Sequence, residues 1–224
     1  MIKPSPASRG RSRDDHSRLY LFTPLLGDTA AFADKLAAAL DVGDIAAVLL
    51  RLEDADERAL INRAKVLAGI VQPRGVALIL DGRAELAPRA GADGAHFSGI
   101  DALTAAIGAL KPDRIAGAGG LKSRHDAMLA GEANADYVMF GEPDRYGRRP
   151  PFAAVIERVE WWAEGFEVPC VSYADNLGEV SELGQAGSDF IALGDWLWTK
   201  QEKPCALIAA ATQCLGQAAS PDVK

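Results

Sequence analysis

Eight short apolar runs, each followed by a segment of helical pattern, limit most strongly how this chain can fold. The runs at 45–51 and 75–81 are apolar without interruption until a charged residue ends each one. Continuous apolar character is typical of strands that are buried on both faces of a parallel sheet. Parallel strands joined by helices require right-handed crossovers, so the sequence predicts an α/β fold. The eight runs lie at 18–24, 45–51, 75–81, 94–98, 113–118, 137–141, 169–174 and 190–194.

The number of units predicts a single TIM (β/α)8 barrel. The 224 residues lie near the lower size limit of such barrels. A doubly wound open sheet is the alternative, but it usually carries a glycine-rich turn after the first strand, and TPLLGD at 23–28 is not GxGxxG. We expect the barrel over 18–215, a short disordered tail over 1–17 and a flexible C-terminus over 216–224. The helical segments lie at 30–40, 56–70, 84–90, 101–110, 123–130, 152–162, 177–185 and 196–215, the last with a break near Pro204.

A short pattern recurs before the fourth, sixth and eighth runs. The sequence reads GADG at 91–94, NADY at 134–137 and GSDF at 187–190. In each case the Gly or Asn can end a helix in the left-handed conformation, and an Asp then leads into the strand. The recurrence favours a barrel built from repeated two-strand units, and we interpret it as structural.

Composition excludes several classes of function. A net charge of −7 argues against a nucleic-acid surface, which would need a basic stripe. The three cysteines lack CxxC spacing and predict reduced thiols in the cytoplasm. No apolar run approaches the length of about 18 residues that a membrane span needs. The polar start of the chain lacks the apolar core of a secretory signal. A homo-oligomer is left open.

Charged side chains follow two neighbouring runs in the stretch 80–101. Asp81 ends the third run, Arg83 lies two residues further on, and Asp101 follows the fourth run. Parallel strands bring these groups to one mouth, at the end of the sheet where α/β folds bind ligands. Asp101 is also placed to cap the helix that follows it, and Asp81 to form a turn at the strand end.

Several motifs of the chain are similar to those of a known family. The segments RLYLFTP, VLLRLED, LDGRAEL, GADGAHFSGID, NADYVMFGEP and GSDFIALGDW together resemble the thiamine-phosphate synthase family over about residues 18–199. The resemblance implies a (β/α)8 barrel that joins hydroxymethylpyrimidine diphosphate to thiazole phosphate with Mg²⁺ and releases pyrophosphate. A phosphorylated small molecule is therefore the expected substrate.

Carried over residue by residue, the resemblance implies phosphate binding by Arg51 and Arg83, with Arg149 in place of a family lysine. It implies metal binding by Asp101 and by Asp81, which lies one residue before the family's aspartate. Both arginines could instead form ion pairs with Glu53 and Glu85, and Arg149 lies on a polar loop where solvated charge is the ordinary state.

Several other mouth positions depart from the family pattern. Glu53 replaces a lysine, Gly119 replaces a serine, and Asp175 and Asp195 stand where the family binds the thiazole phosphate on main-chain amides. The negative charges of acids at those two positions disfavour binding of a phosphate. His96 is interpreted as a hydrogen-bonded histidine of the interior. Trp196, at the exit of the eighth strand, packs a helix or contacts a ligand. These residues complete the predicted mouth: Glu53, His96, Gly119, Asp175, Asp195 and Trp196.

The sequence thus predicts an enzyme of thiamine-phosphate-synthase type with altered or weak activity. One alternative is a thiazole-tautomerase-like or other barrel enzyme that acts on a related phosphorylated small molecule. The second alternative is a catalytically inactive paralogue that serves as a binding or interaction protein.

Overall fold

In the computed structural model, which describes residues 16–199 and 203–218, eight parallel strands close into a barrel in sequence order. The eighth strand pairs back onto the first, with Leu19 opposite Ile191 and Leu21 opposite Leu193. The predicted barrel is confirmed, and an open sheet is excluded. The strands are β1 (Arg18–Phe22), β2 (Ile45–Leu50), β3 (Ala77–Asp81), β4 (Gly94–Ser98), β5 (Ile115–Gly119), β6 (Tyr137–Phe140), β7 (Cys170–Ala174) and β8 (Phe190–Leu193).

Helices follow every strand, and their bounds differ modestly from the sequence prediction. The helix predicted from residue 101 begins one residue earlier and finishes as a 3₁₀ turn, and the last helix is interrupted before Pro204 as expected. The α-helices are α1 (Thr29–Leu40), α2 (Glu57–Val71), α3 (Ala87–Ala90), α4 (Ile100–Ala106), α5 (Arg124–Glu132), α6 (Phe152–Gly165), α7 (Leu177–Gln185), α8 (Trp196–Thr199) and α9 (Pro204–Ala218). The 3₁₀ turns are Gln72–Arg74, Ala84–Leu86 and Ile107–Ala109.

The strands bury both faces, so the protein has two apolar layers. The side chains between strands and helices form the larger layer, which includes Leu36, Leu67 and Trp162. The smaller layer fills the barrel interior with alternate strand residues, among them Phe22, Leu49 and Met139. Burial on both faces is the reason for the uninterrupted apolar runs in the sequence.

The recurring aspartates join strands in pairs at the amino-terminal end of the barrel. Asp93 accepts a hydrogen bond from the Leu78 main-chain N–H at 2.7 Å, which ties β4 to β3. The equivalent bonds run from Ala116 to Asp136 at 2.7 Å and from Cys170 to Asp189 at 2.8 Å. The residue two positions before each aspartate is left-handed, with φ of 70° at Gly91, 66° at Asn134 and 99° at Gly187. The predicted structural role of the pattern is confirmed.

The described chain extends slightly beyond the predicted barrel at both ends. Ser17, which we assigned to the tail, is buried and donates to the Ser188 carbonyl at 2.6 Å. The last helix continues past residue 215 to Ala218. The rest of the predicted tail, 1–15, and of the predicted C-terminus, 219–224, lies outside the described residues.

We expect Asp93→Ala to lower the free energy of unfolding by about 1–3 kcal/mol, because the Leu78 N–H would lose its acceptor in a partly buried position. Urea unfolding measures this change. Asp113→Ala, at an exposed turn position, is the matched control and should change stability little. Equal effects of the two substitutions would contradict the structural role of Asp93.

Candidate active site

The carboxyl ends of the eight strands form one mouth, and Arg51 is fixed firmly within it. Its main-chain N–H donates to Thr23 Oγ1 at 3.0 Å, and its Nε donates to the Thr23 carbonyl at 2.7 Å. The guanidinium lies 5.6 Å from the centre of the Phe22 ring, and its Nη2 forms an ion pair with Asp195. Arg51 thus connects the end of β2 with the end of β8 across the mouth.

Arg83 lies on the next strand end and has a weaker partner. The residue is left-handed, with a φ of 57°, so its side chain leaves the strand end at a turn. Its Nη2 pairs with Asp54, whose side chain is 97% exposed. Exposed ion pairs of this kind contribute little, so an anion can replace Asp54 at low cost.

The alternative pairings of these arginines with Glu53 and Glu85 are not found. Arg51 pairs with Asp195 and Arg83 with Asp54, whereas the Glu53 carboxylate lies against Gly27. Glu53 therefore adds negative charge near the rim without holding either arginine.

Two carboxylates lie at the same rim: Asp81 is the last residue of β3, and Asp101 follows β4. Neither forms an ion pair with another described residue. Asp81 is exposed at the end of β3, yet desolvation by the surrounding mouth raises the pKa of its carboxyl, and the charges of Arg51 and Arg83 oppose that rise. The expected capping role of Asp101 is wrong: Gly99, with a φ of 96°, occupies the N-cap, and Asp101 lies in the first turn of α4.

These two carboxylates fit the donor chemistry of magnesium. Mg²⁺ takes oxygen ligands, is usually bound by one or two carboxylates and keeps several waters. Among residues 16–199 and 203–218 no cluster of three or more His, Cys, Asp or Glu side chains is arranged to hold a metal ion. A site of two carboxylates completed by substrate oxygens would need no such cluster.

Arg149 is tied to the opposite side of the mouth. It donates from Nε to the Gly141 carbonyl at 2.9 Å and from Nη2 to the Tyr173 carbonyl at 2.9 Å. The same Nη2 lies 3.1 Å from Glu179 Oε2, and Nη1 lies 3.6 Å from Asp175. Through Nε and Nη2, Arg149 anchors the loop after β6, and Nη1 is the nitrogen that remains closest to an exposed acid.

Acids dominate the edge formed by the ends of β7 and β8. Asp175 and Asp195 are both more than half exposed, with side chains 55% and 59% accessible. Glu179, in the first turn of α7, accepts the Asp175 main-chain N–H at 2.9 Å. Trp196 is buried and donates from Nε1 to the Ala174 carbonyl at 2.7 Å, so it packs the eighth helix rather than facing a ligand.

A buried polar chain connects the barrel interior with the mouth. The hydroxyl groups of Tyr20 and Tyr137 lie 2.9 Å apart, and the Tyr137 hydroxyl lies 3.0 Å from His96 Nδ1. Burial lowers the pKa of His96 to about 4, so the imidazole is neutral. The interpretation of His96 as a hydrogen-bonded interior histidine agrees with this geometry.

Glycines on β5 provide the space for this chain. A Cβ on Gly117 would collide with the Tyr137 ring. A Cβ on Gly119 would lie 2.7 Å from His96 Nε2 and would also collide with Glu142 Oε1. Because residue 119 is a glycine, the His96 imidazole and the Glu142 carboxylate occupy the space that a side chain would fill.

Glu142 is a site residue that the sequence analysis did not select. It directly follows Gly141 at the end of β6, and its Oε1 accepts the Gly120 main-chain N–H. Burial raises the pKa of this carboxyl, and it has no ion-pair partner within the described part of the chain. An acid placed directly after an apolar run was the available signal, the same signal that selected Asp81.

We expect acid to destabilise the protein through His96. In the unfolded chain its imidazole takes a proton near pH 6.5, whereas in the folded chain it does so only near pH 4. The unfolded state therefore binds more protons between these values, and stability falls as the pH falls through that window. From about pH 7 to about pH 5 the loss attributable to His96 should be about 2 kcal/mol.

Urea unfolding at both pH values, compared with His96→Asn, measures this loss. The variant should show a correspondingly flatter dependence on pH, and His125→Asn, at an exposed position, is the control. Parallel pH dependences of wild type and His96→Asn would contradict the assignment.

None of the described helices is long and apolar enough to cross a membrane.

Comparison with known structures identifies the fold. The structure of thiamine phosphate pyrophosphorylase from Pyrococcus furiosus aligns with a TM-score of 0.73 at 21% identity, over 92% of this chain and 98% of that one. A 3-hexulose-6-phosphate synthase from Salmonella typhimurium aligns with a TM-score of 0.67 at 16% identity, over 90% and 99% of the two chains. At these identities the structures show the barrel fold alone.

Sequence comparison shows the family to which this chain belongs. The model of the family described as thiamine monophosphate synthase matches residues 19–197. The thiamine-phosphate synthase of Rhodospirillum centenum is 44% identical over 195 residues, which are 86% of this chain and 94% of the relative. The thiamine-phosphate synthase of Hyphomonas neptunium is 35% identical over 205 residues, which are 87% and 91% of the two chains. This chain belongs to the thiamine monophosphate synthase family.

Proposed function

We propose that this protein is a transferase that joins hydroxymethylpyrimidine diphosphate to a thiazole, with altered or weak activity toward the thiazole phosphate of its family. The observation that carries the proposal is the group of Arg51, Arg83, Asp81 and Asp101 on one side of the mouth. Two guanidiniums and two carboxylates suited to magnesium match the charge and oxygen chemistry of a diphosphate.

In this reaction the bond between the pyrimidine methylene and the diphosphate oxygen breaks, and pyrophosphate leaves with the electron pair. The thiazole nitrogen then donates its lone pair to the methylene carbon. Arg51 and Arg83 bind the leaving diphosphate and neutralise charge that grows on it, which is electrostatic stabilisation by preorganised donors. Mg²⁺, held by Asp81 and Asp101, would supply further neutralisation of the same oxygens.

The neutral imidazole of His96 and the carboxyl of Glu142 face the mouth side by side next to Gly119. They offer a polar edge for the heterocycle, above the aromatic side chains of the barrel interior. Positioning of the two rings in this way lowers the entropic part of the barrier.

Altered or weak activity follows from the partners of the arginines. Arg51 already pairs with Asp195, and Arg149 is bound to carbonyl groups and to Glu179. A diphosphate must compete with Asp195 for Arg51, which costs part of its binding free energy.

The first test is direct binding of the leaving group. We expect pyrophosphate with Mg²⁺ to raise the melting temperature of the wild-type protein, and Asp101→Asn to abolish this rise while keeping the unliganded melting temperature. Asp113→Asn, which removes an exposed carboxylate elsewhere, is the matched control. An unchanged response in Asp101→Asn would contradict its role in binding the metal and the diphosphate.

The second test is turnover. With hydroxymethylpyrimidine diphosphate, thiazole phosphate and Mg²⁺, we expect slow release of pyrophosphate coupled to formation of thiamine phosphate, and a further loss of at least about tenfold in Arg51→Ala. Ordinary turnover would overturn the weak-activity part of the proposal. Pyrophosphate binding without turnover would favour the inactive paralogue, and conversion of a thiazole precursor without the pyrimidine would favour a tautomerase-like enzyme.

A further inference from the structure

The edge of the mouth formed by β7, β8 and the start of α7 is a poor site for a phosphate, although barrels commonly bind phosphate there. It carries three carboxylates, those of Asp175, Glu179 and Asp195, and within residues 16–199 and 203–218 the guanidiniums that pair with them are those of Arg51 and Arg149. A phosphate would bring up to two further negative charges to an edge at which the acids already outnumber the cations.

Two main-chain donors of this edge are also occupied. A barrel phosphate is normally held by amide N–H groups at helix starts. Here the Asp175 N–H donates to the Glu179 carboxylate at 2.9 Å, and the Glu179 N–H donates to Asn176 Oδ1 at 3.1 Å. The Glu179 carboxylate therefore occupies an amide that an anionic ligand would use.

The eighth strand end is no more suitable. The helix that follows it is a single turn, Trp196–Thr199. The N–H groups of Leu197 and Trp198 donate back to the carbonyls of Gly194 and Asp195, each at 3.0 Å. A phosphate at this position would meet the exposed carboxylate of Asp195.

We propose that the second substrate of this protein is a thiazole that carries a free hydroxyl in place of the phosphate, namely hydroxyethylthiazole, and this rests on the function proposed above. A hydroxyl group donates a hydrogen bond to a carboxylate, which a phosphate dianion cannot do. Asp175 and Asp195 are the exposed acceptors for that hydroxyl.

The chemistry of the product fits the same edge. When the thiazole nitrogen donates its lone pair to the pyrimidine methylene, the ring becomes a thiazolium cation and pyrophosphate leaves with the electrons of the broken bond. The product is thiamine rather than thiamine phosphate. Carboxylates near the ring stabilise the positive charge as it develops.

The experiment compares hydroxyethylthiazole and thiazole phosphate as co-substrates, with hydroxymethylpyrimidine diphosphate and Mg²⁺ kept constant. We expect kcat/KM for the alcohol to exceed that for the phosphate by at least about tenfold. The double variant Asp175→Asn/Asp195→Asn should lower this ratio by about tenfold or more, because it removes two like charges from the edge. Glu160→Gln, at an exposed position of α6, should leave the ratio unchanged.

The ratio is measured within one preparation, so differences in folded fraction or in use of the shared diphosphate cancel. Glu179→Gln, which removes the internal anion, provides an independent variant and should also shift the ratio toward the phosphate. A wild-type preference for thiazole phosphate, or a ratio unmoved in both variants, overturns this inference while leaving the proposed function intact. Failure of both thiazoles to give any product overturns the proposed function and this inference with it.

Discussion

The pairing of β8 with β1 is the constraint on which the whole site depends. Because all eight strands are parallel and the sheet closes, every strand end faces one ring. Residues far apart in the chain become neighbours there, as in the ion pair between Arg51 and Asp195, which are 144 positions apart. In an open sheet these two strand ends would lie near opposite edges, and the two charged side chains could not form an ion pair with each other.

Closure also divides the mouth electrostatically. On the β3 and β4 side the carboxylates of Asp81 and Asp101 have no ion-pair partners among the described residues, so they are available to a cation. On the β7 side the carboxylate of Glu179 is already engaged with Arg149 and a main-chain amide. The same residue types thus have different chemical capacity on the two sides, and the difference lies in their neighbours.

The sequence was sufficient to predict the fold, because strands that are buried on both faces appear in it as uninterrupted apolar runs. It also located Arg51, Asp81 and Arg83, since these lie at or just after the ends of such runs. It could not choose their partners: Glu53 was one possible partner of Arg51, yet Arg51 pairs with Asp195, because partner choice depends on barrel register. Glu142 was missed because the contacts that make it a site residue come from β4 and β5.

The aspartates at the amino-terminal end have a consequence for how the barrel opens. Asp93, Asp136 and Asp189 each fasten one strand to its predecessor, giving the pairs β3–β4, β5–β6 and β7–β8. In the remaining pair, β1 and β2, Arg18 of β1 donates hydrogen bonds to Asp44 and to the Ile45 carbonyl at the start of β2. The barrel thus consists of four units of two parallel strands each. Partial unfolding that releases one whole unit breaks fewer of these bonds than unfolding that separates the two strands of one unit.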